Sequence, residues 1–385
     1  MAFIRVMSFG LRLGKRNLML VFCVVFLVSL TLLLLKTGNR DQARLQGLAK
    51  CRELSQLLET KNLSGIVQFH KTANEEEQVL VIKKWKLQMK DKMILEHLLL
   101  TKECPWEANA TAVAQYRAEL GKCCNASFWL AVTQENAPLG SNISPDGNKG
   151  QKLPVNAELT SLLPERSPFP ESQYRRCAVV GNGGILKNSR CGVEIDQADL
   201  VVRFNLPPMN FSEDVGTKTS LVTMNPSIIQ NKYKSLQAQR KPFADALQPY
   251  RDALFLIPAL SFVGHGVLGY RAVYTMEDFG LMQQAFFLNP RYLSTLRDYW
   301  KKQGLKPQRL SSGFMFVSMA LEFCEHITLY GFWPFPHDLA DQPISHHYYD
   351  NRLPKAGFHS MPSEFSHYLS MYAKGVLRLR LGKCQ

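Results

Sequence analysis

The sequence is short of acid. Its 385 residues hold 32 Asp and Glu against 46 Lys and Arg, a formal net charge of +14. That balance favours acidic partners: nucleic acid, anionic lipid, phosphates or sialylated glycans. Cysteine is sparse as well. Nine in the whole chain are too few for a disulfide-built mini-protein. There is no Asp-x-Asp, no His-Glu-x-x-His and no histidine pair at i, i+4, so no motif asks for a metal and none is expected. With 46% hydrophobic and 20% charged residues, full disorder, a collagen and a polytopic membrane protein are excluded. At roughly 150 residues per domain, the length suggests two or three units.

What is present begins with an apolar run. Leu18 to Leu35 is free of charge and interrupted only by Ser29 and Thr31. At a rise of about 1.5 Å per residue it can just span a bilayer core. It is longer than the roughly 7–15 residues of a signal-peptide core, and Lys36-Thr37-Gly38-Asn39-Arg40 is a poor cleavage site. An uncleaved anchor is therefore expected. Basic residues flank it on both sides (Arg5, Arg12, Lys15 and Arg16 before; Lys36, Arg40, Arg44 and Lys50 after), so the positive-inside signal is weak. Glycosylation triplets decide the orientation. They stand at Asn62, Asn109, Asn125, Asn142 and Asn210, all after the run, with eight of the nine cysteines. That placement predicts a type II protein with a short cytosolic tail and a luminal body. A luminal chain meets nucleotide sugars, glycans and lipid headgroups, so the nucleic-acid reading of the charge recedes.

The luminal part divides by texture. Glu75 to Leu100 has Ile82, Trp85, Met89 and Met93 at helical spacing and reads as a packing helix of a stem. Residues 133–172, with six prolines and three glycines, read as linker. The expected organisation is thus a cytosolic tail over 1–17, a transmembrane anchor over 18–35, stem and linker over 36–171, and a catalytic domain over 172–385.

From Tyr174 onward short apolar strands alternate with helix-length polar stretches. Cys177–Val180 runs into Gly181-Asn182-Gly183-Gly184, Leu200–Phe204 into Asn205-Leu206-Pro207-Pro208, Ser220–Met224 into Asn225-Pro226, and Ala253–Ile257 into Pro258. That alternation predicts an α/β fold with a parallel sheet, whose ligands sit beyond the carboxyl ends of the strands. Ser311-Ser312-Gly313 opens an apolar helix, Phe314 to Cys324. Its free N–H groups and positive dipole end suit a phosphate, although an ordinary capped core helix explains the local pattern better. A strand over Ile327–Tyr330 follows, ending at Gly331-Phe332-Trp333-Pro334. Five of the nine histidines fall in the last 50 residues. His337 and His367 read as surface groups, while His346-His347-Tyr348-Tyr349-Asp350 and His359-x-x-x-x-Glu364 form clusters suited to general-base work near neutral pH.

Taken in order, these segments resemble the motifs of the animal sialyltransferases. Tyr174 to Ile229 resembles the large sialyl motif and Arg309 to Trp333 the small one. His347-Tyr348-Tyr349-Asp350 resembles the third motif, and His359 to Glu364 the very small one. Asn225-Pro226-Ser227-Ile228-Ile229, Tyr330-Gly331-Phe332-Trp333-Pro334-Phe335 and His346-His347-Tyr348-Tyr349-Asp350-Asn351 point to the α-2,8 branch, and within it to members that add one or a few residues to gangliosides or O-glycans.

The resemblance implies a GT-A-like, Rossmann-type parallel sheet flanked by helices. It implies CMP-sialic acid as donor, a sialylated glycolipid or glycoprotein as acceptor, no cofactor or metal, and inversion at the anomeric carbon. It further implies that Asn182 and Asn205 contact the nucleotide, that Ser311, Ser312 and Gly313 hold the sugar carboxylate or phosphate, and that Trp333 lines the donor pocket. His347 would stabilise the leaving phosphate, His359 would be the base, and Glu364 would support it. Close relatives usually carry threonine where Ser312 stands, which keeps the hydroxyl. Disulfides Cys177–Cys324 and Cys191–Cys384, a Golgi membrane location and an assembly open to homodimers complete the expectation.

Two rivals are weaker. A dinucleotide oxidoreductase would use Gly181-x-Gly183 with Asp199, but Leu186 stands at the third glycine of that fingerprint. A non-catalytic luminal glycan-binding protein would keep the pocket without turnover, yet His347, His359 and Glu364 are all present. Finally, Glu277 to Gln308 carries five basic against three acidic side chains, 5 − 3 = +2. That is little to grip a long polyanion, so a short product is expected.

Overall fold

The computed structural model describes residues 106–146, 150–169, 174–261, 263–281, 285–305, 309–339, 342–352 and 361–384, with Ser29, Ile94 and Leu98 as isolated positions. The expected span over 18–35 (apart from Ser29), the sequon at Asn62 and the expected base His359 lie outside the described residues. Among the described residues no helix is long and apolar enough to cross a membrane. The chain divides into two units, Met1–Asn74 with Leu100–Pro105, and Glu75–Leu99 with Trp106–Gln385. The second unit holds the sheet.

That sheet has seven strands, all parallel: β1 (Tyr174–Val180), β2 (Leu200–Phe204), β3 (Leu221–Thr223), β4 (Leu254–Ile257), β5 (Ala285–Phe287), β6 (Cys324–Tyr330) and β7 (Arg378–Arg380). Their spatial order is 5-4-3-2-1-6-7. The chain builds outward from β1 to β5, then crosses back to lay β6 on the other side of β1. The order therefore reverses between β1 and β6, and a crevice opens beyond the carboxyl ends at such a switch point. The turns Gly181-Asn182-Gly183 and Gly331-Phe332-Trp333 leave the sheet there. Five of the strands match the expected apolar runs. The runs of β5 and β7 are three residues each, too short for alternation to mark them, although Asn289-Pro290 follows β5 as Asn225-Pro226 follows β3.

Both faces are covered, which is why the central strands read as largely apolar runs; Arg203 of β2 is the buried exception, its guanidinium donating to the Val215 and Lys218 carbonyls. Successive side chains of β1 point to opposite faces. Cys177 and Val179 join a core with four helices: α1 (Ala110–Cys123), α3 (Pro290–Lys302), α4 (Ser312–Phe323) and α5 (Met361–Ala373). Ala178 and Val180 pack on the opposite face with Val201, Tyr330 and Tyr348. Toward the β5 edge, α2 (Gly266–Asp278) buries Leu268, Ala272, Val273 and Met276 against that second face.

The expected boundary at residue 172 does not separate packing. Helix α1 buries Val113 and Leu120 in the same core as α4. Arg117 donates to the carbonyls of Glu322 and Cys324 at 3.2 and 2.7 Å. Val132 N–H donates to Phe287 at 2.8 Å, beyond the carboxyl end of β5. The stretch read as linker buries Val155, Leu159 and Leu163. Its prolines and glycines punctuate compact loops over the sheet rather than a tether. Of the expected stem helix, only Ile94 and Leu98 are described, both helical and both buried in the α1–α4 core.

Disulfides join Cys177 to Cys324 and Cys191 to Cys384, closing separations of 147 and 193 residues. A third links the adjacent Cys123 and Cys124. The first ties neighbouring strands β1 and β6 together below the crevice, and the second holds the C-terminus against the loop after β1.

Candidate functional site

The turn after β1 and the turn after β6 touch through backbone alone. Gly181 N–H donates to the Tyr330 carbonyl at 2.7 Å, and Gly183 N–H to the Gly331 carbonyl at 3.0 Å. A Cβ on Gly183 would stand 2.4 Å from the Gly331 oxygen, and Gly331 itself has φ +72°. No other residue type permits that approach and that left-handed backbone together. The sequence Gly-Asn-Gly-Gly opposite Gly-Phe-Trp is therefore a packing requirement before it is a binding motif.

Asn182 hangs in this contact. Its Nδ2 donates to the Phe204 carbonyl at the end of β2, at 2.9 Å, which fixes the direction of the amide. Its Oδ1 is then buried and accepts from nothing among the described residues. An orphaned buried acceptor costs roughly 1–3 kcal/mol, so this oxygen is a place for a donor from water or from a ligand. Asn205 sits one strand along, in the left-handed region at φ +62°. Its Oδ1 accepts from Asn225 N–H at 3.0 Å, tying the ends of β2 and β3. Among the described residues no group accepts from its Nδ2.

Helix α4 begins beside these turns. A Cβ on Gly313 would lie 2.9 Å from the Phe332 ring, so the helix start packs directly on the β6 turn. Ser311 is the N-cap, its Oγ accepting from Phe314 N–H at 3.1 Å. Both donors of Ser311 go to Glu364 on α5: the N–H at 2.7 Å and the hydroxyl in a short contact. Glu364 is 1% exposed. Burial pushes its carboxyl up to about 7, against the two Ser311 hydrogen bonds that favour the ionised form. Ser311 is thus committed to Glu364 and has no donor to offer a ligand. The N–H groups of Ser312 and Gly313, both half-exposed, are the ones left at the positive end of the helix dipole. Trp333 is nearly buried between Phe335 and Phe365, and its Nε1 donates to the His337 carbonyl at 2.8 Å, so its indole N–H is already used within the protein.

The histidine loop closes over the same turn. His347 makes an antiparallel bridge with Gly183, and Tyr348 N–H donates to the Asn182 carbonyl at 3.0 Å. A Cβ on Gly184 would meet the Ser345 carbonyl oxygen at 2.1 Å. The His347 ring stacks on Tyr349 with centroids 5.0 Å apart and planes 11° apart. Its Nδ1 lies 2.8 Å from Asp350 Oδ2, which orients the ring and leaves Nε2 outward. Burial works to raise the Asp350 carboxyl. Hydrogen bonds from the His347 side chain and from the Arg352 and His347 backbones outweigh it, and the carboxyl lies below its usual range. Burial, with neighbouring His347, lowers His346.

The structure brings Asn182, Asn205, Ser312, Gly313, Trp333 and His347 to one crevice at the switch point, with Ser311 and Glu364 behind it. His359 lies in 353–360, outside the described residues. Asp350 stands within a stretch singled out for its histidines, and its spacing of three from His347 was the available signal of its role. His367, read as a surface group, is half-buried. It bonds the Ser363 carbonyl through Nδ1 and packs edge-on against Trp300 and Phe314. Among the described residues no group of His, Cys, Asp or Glu is placed to hold a metal ion.

Residues 127–376 match the family model described as glycosyltransferase family 29 (sialyltransferase). The chain is 44% identical over 284 residues to human alpha-2,8-sialyltransferase 8F, covering 73% of this chain and 71% of that protein. It is 37% identical over 385 residues to rat alpha-2,8-sialyltransferase 8E, covering 97% and 96%. An alpha-N-acetylneuraminide alpha-2,8-sialyltransferase of Xenopus tropicalis is 44% identical over 282 residues, covering 73% and 81%. A solved mammalian sialyltransferase aligns over 78% of this chain and 88% of its own at 20% identity and a TM-score of 0.40, a likeness too loose to argue from.

Proposed function

The chain belongs to glycosyltransferase family 29, the sialyltransferases, and on that premise we propose how its crevice works and where it does so. It transfers sialic acid from CMP-sialic acid to the 8-hydroxyl of a terminal sialic acid, forming an α-2,8 link with inversion. The observation that carries the donor assignment is the buried, unpartnered Oδ1 of Asn182. A nucleotide supplies hydroxyl and amine donors of the kind it lacks, and Asn205 Nδ2 offers a second contact one strand away. The N–H groups of Ser312 and Gly313 face the negative end of the donor, the phosphate or the sugar carboxylate.

As the sialyl–phosphate bond breaks, negative charge grows on the phosphate. His347, with Nδ1–H donated to Asp350, becomes a donor through Nε2 when that nitrogen also carries a proton, and the carboxylate is its counter-charge. His359 is our candidate for the base that takes the acceptor proton, on the strength of the motif alone. Trp333 lines the donor pocket, and Glu364 keeps the α4 start in place through Ser311. We read the sheet as GT-A-like and the chemistry as metal-independent.

We place the protein in the Golgi membrane as a single-pass type II protein, anchored by 18–35 with its catalytic body luminal. The four described sequon asparagines, Asn109, Asn125, Asn142 and Asn210, are all exposed, which supports that placement. Asn109 and Asn125 cap helices through Oδ1, leaving Nδ2, the atom a glycan takes, outside the cap.

Detergent-solubilised full-length protein, CMP-sialic acid and a panel of sialylated glycolipids and glycans test the proposal. CMP release with one or a few new α-2,8-linked residues is expected, and EDTA should leave the rate unchanged. Binding without CMP release would instead mark a glycan-binding protein, and activity lost on chelation and restored by manganese would overturn the metal-free reading.

A further inference from the structure

A cavity of about 400 Å³ lies against the loop after β1, on the flank of the histidine loop. That size falls within the range of small-ligand pockets, roughly 300–1,000 Å³. Its polar lining is Lys187, Asn188, Asp338, Ser345 and Asn351. None of these is a residue given a part in binding the donor. Two of them belong to the catalytic loop: Ser345 Oγ donates to the His347 carbonyl at 2.6 Å, and Asn351 follows Asp350, which orients the His347 ring.

Lys187 is the cation of this lining. It is exposed, and no described group forms an ion pair or hydrogen bond with its ammonium. Its backbone, by contrast, is held on all sides. Lys187 N–H donates to Gly184 at 3.0 Å. Asp214 accepts from the N–H groups of Asn188 and Arg190 at 2.8 and 2.9 Å. Cys384 N–H donates to the Ser189 carbonyl at 2.8 Å, beside the Cys191–Cys384 disulfide. An exposed charge is thus presented from a turn held by backbone hydrogen bonds and a disulfide. Asp338 is the opposing charge, and its Oδ1 accepts from Gln342 N–H at 2.8 Å.

We propose that this cavity receives the terminal sialic acid of the acceptor, its carboxylate paired with Lys187. The inference rests on the α-2,8 reading above. An α-2,8 acceptor differs from other sugars in carrying a carboxylate at one end and a chain of hydroxyls at the other. The lining carries both complements: an unpaired ammonium for the carboxylate, and a carboxylate, a hydroxyl and two amides for hydroxyls and the N-acetyl group. A free phosphate would take Lys187 and the two amides but would set its charged oxygens against Asp338, with no hydroxyl chain for that carboxylate to accept from. Neutral acceptors ending in galactose would leave Lys187 without a partner, so the pocket selects for a sialoside.

The test is Lys187→Met and Lys187→Arg in the full-length enzyme, assayed on a sialylated oligosaccharide and on the same acceptor with its terminal carboxylate as the methyl ester. Loss of one charge-assisted contact should raise the acceptor KM about tenfold in Lys187→Met. The KM for CMP-sialic acid and kcat should stay within about twofold on the same grounds, and Lys187→Arg should recover most of the loss. The methyl ester should be poor for the wild type and no poorer for Lys187→Met. An unchanged acceptor KM, a raised donor KM, or equal losses on acid and ester would overturn the assignment while leaving the α-2,8 reading intact. A wild-type enzyme that transfers to no sialoside would overturn both.

Discussion

The two walls of the crevice are built by opposite means. The turn after β1 meets the turn after β6 through backbone atoms, with Gly183 and Gly331 closer than any side chain allows. The loop carrying His347 is held by side chains: Asp350 on the ring nitrogen, Tyr349 on the ring face, Ser345 on the carbonyl. One wall fails when atoms are added and the other when they are removed. On the function proposed above, the first would set where a ligand can lie, and the second what can happen to it.

Gly183→Ala breaks the first wall. Its Cβ would meet the Gly331 oxygen at 2.4 Å, and that neighbour is backbone that cannot swing aside. Overpacking of this kind costs about 1–3 kcal/mol, and it displaces Asn182 and His347 together. Loss of measurable transfer with a lowered Tm is expected. Normal CMP binding in that variant would show that the contact is not what shapes the donor site.

The second wall should fail without unfolding. Removing a positioned donor to a developing anion costs about 10²–10³ in kcat, so His347→Ala should lose about that much with Tm nearly unchanged. Asp350→Asn keeps the shape but removes the counter-charge, and a smaller loss is expected, about tenfold. A normal rate in His347→Ala would remove that residue from the chemistry. Equal losses in the two variants would show that Asp350 acts on the fold of the loop rather than on the ring.

The same contrast explains what the sequence made legible. Apolar strand runs ending in Gly-Asn, Asn-Leu-Pro-Pro and Asn-Pro announced the sheet and its ligand-bearing ends, because backbone geometry restricts residue type there. The partners of side chains are not restricted in that way. Nothing local tells that Glu364 spends its carboxylate on Ser311, 53 residues away in sequence, or that His367 packs on Trp300. The segment before 172 is hard to read for a related reason. Proline and glycine mark turns whether or not the turns fold back on a core, and only the burial of Val155, Leu159 and Leu163 shows that these do. Strands β5 and β7, three residues each, take their identity from neighbours already in place.

A buried carboxyl lies at each end of helix α4, and a pH series separates them. Glu364 faces the Ser311 donors at the N-terminus. Glu322, near the C-terminus, accepts from Ala126 N–H at 2.9 Å through Oε2, and the neighbouring Tyr292 hydroxyl also favours its ionised form. Burial pushes both up to about 7 from an ordinary 4.5. A raised folded-state pKa means that the native protein keeps a proton the unfolded chain releases. The stability this contributes is complete below about pH 4.5 and is lost as pH rises through about 7. At roughly 1.4 kcal/mol per unit, each carboxyl carries at most about 3 kcal/mol of that dependence. Wild-type Tm should therefore fall by several degrees between about pH 5 and pH 8. Glutamine keeps an acceptor for the Ser311 or Ala126 N–H and does not titrate. Glu364→Gln should remove about half of the fall, and the double variant with Glu322→Gln most of it. A slope unchanged in the double variant would mean that both carboxyls are ionised throughout, held by their N–H donors against burial.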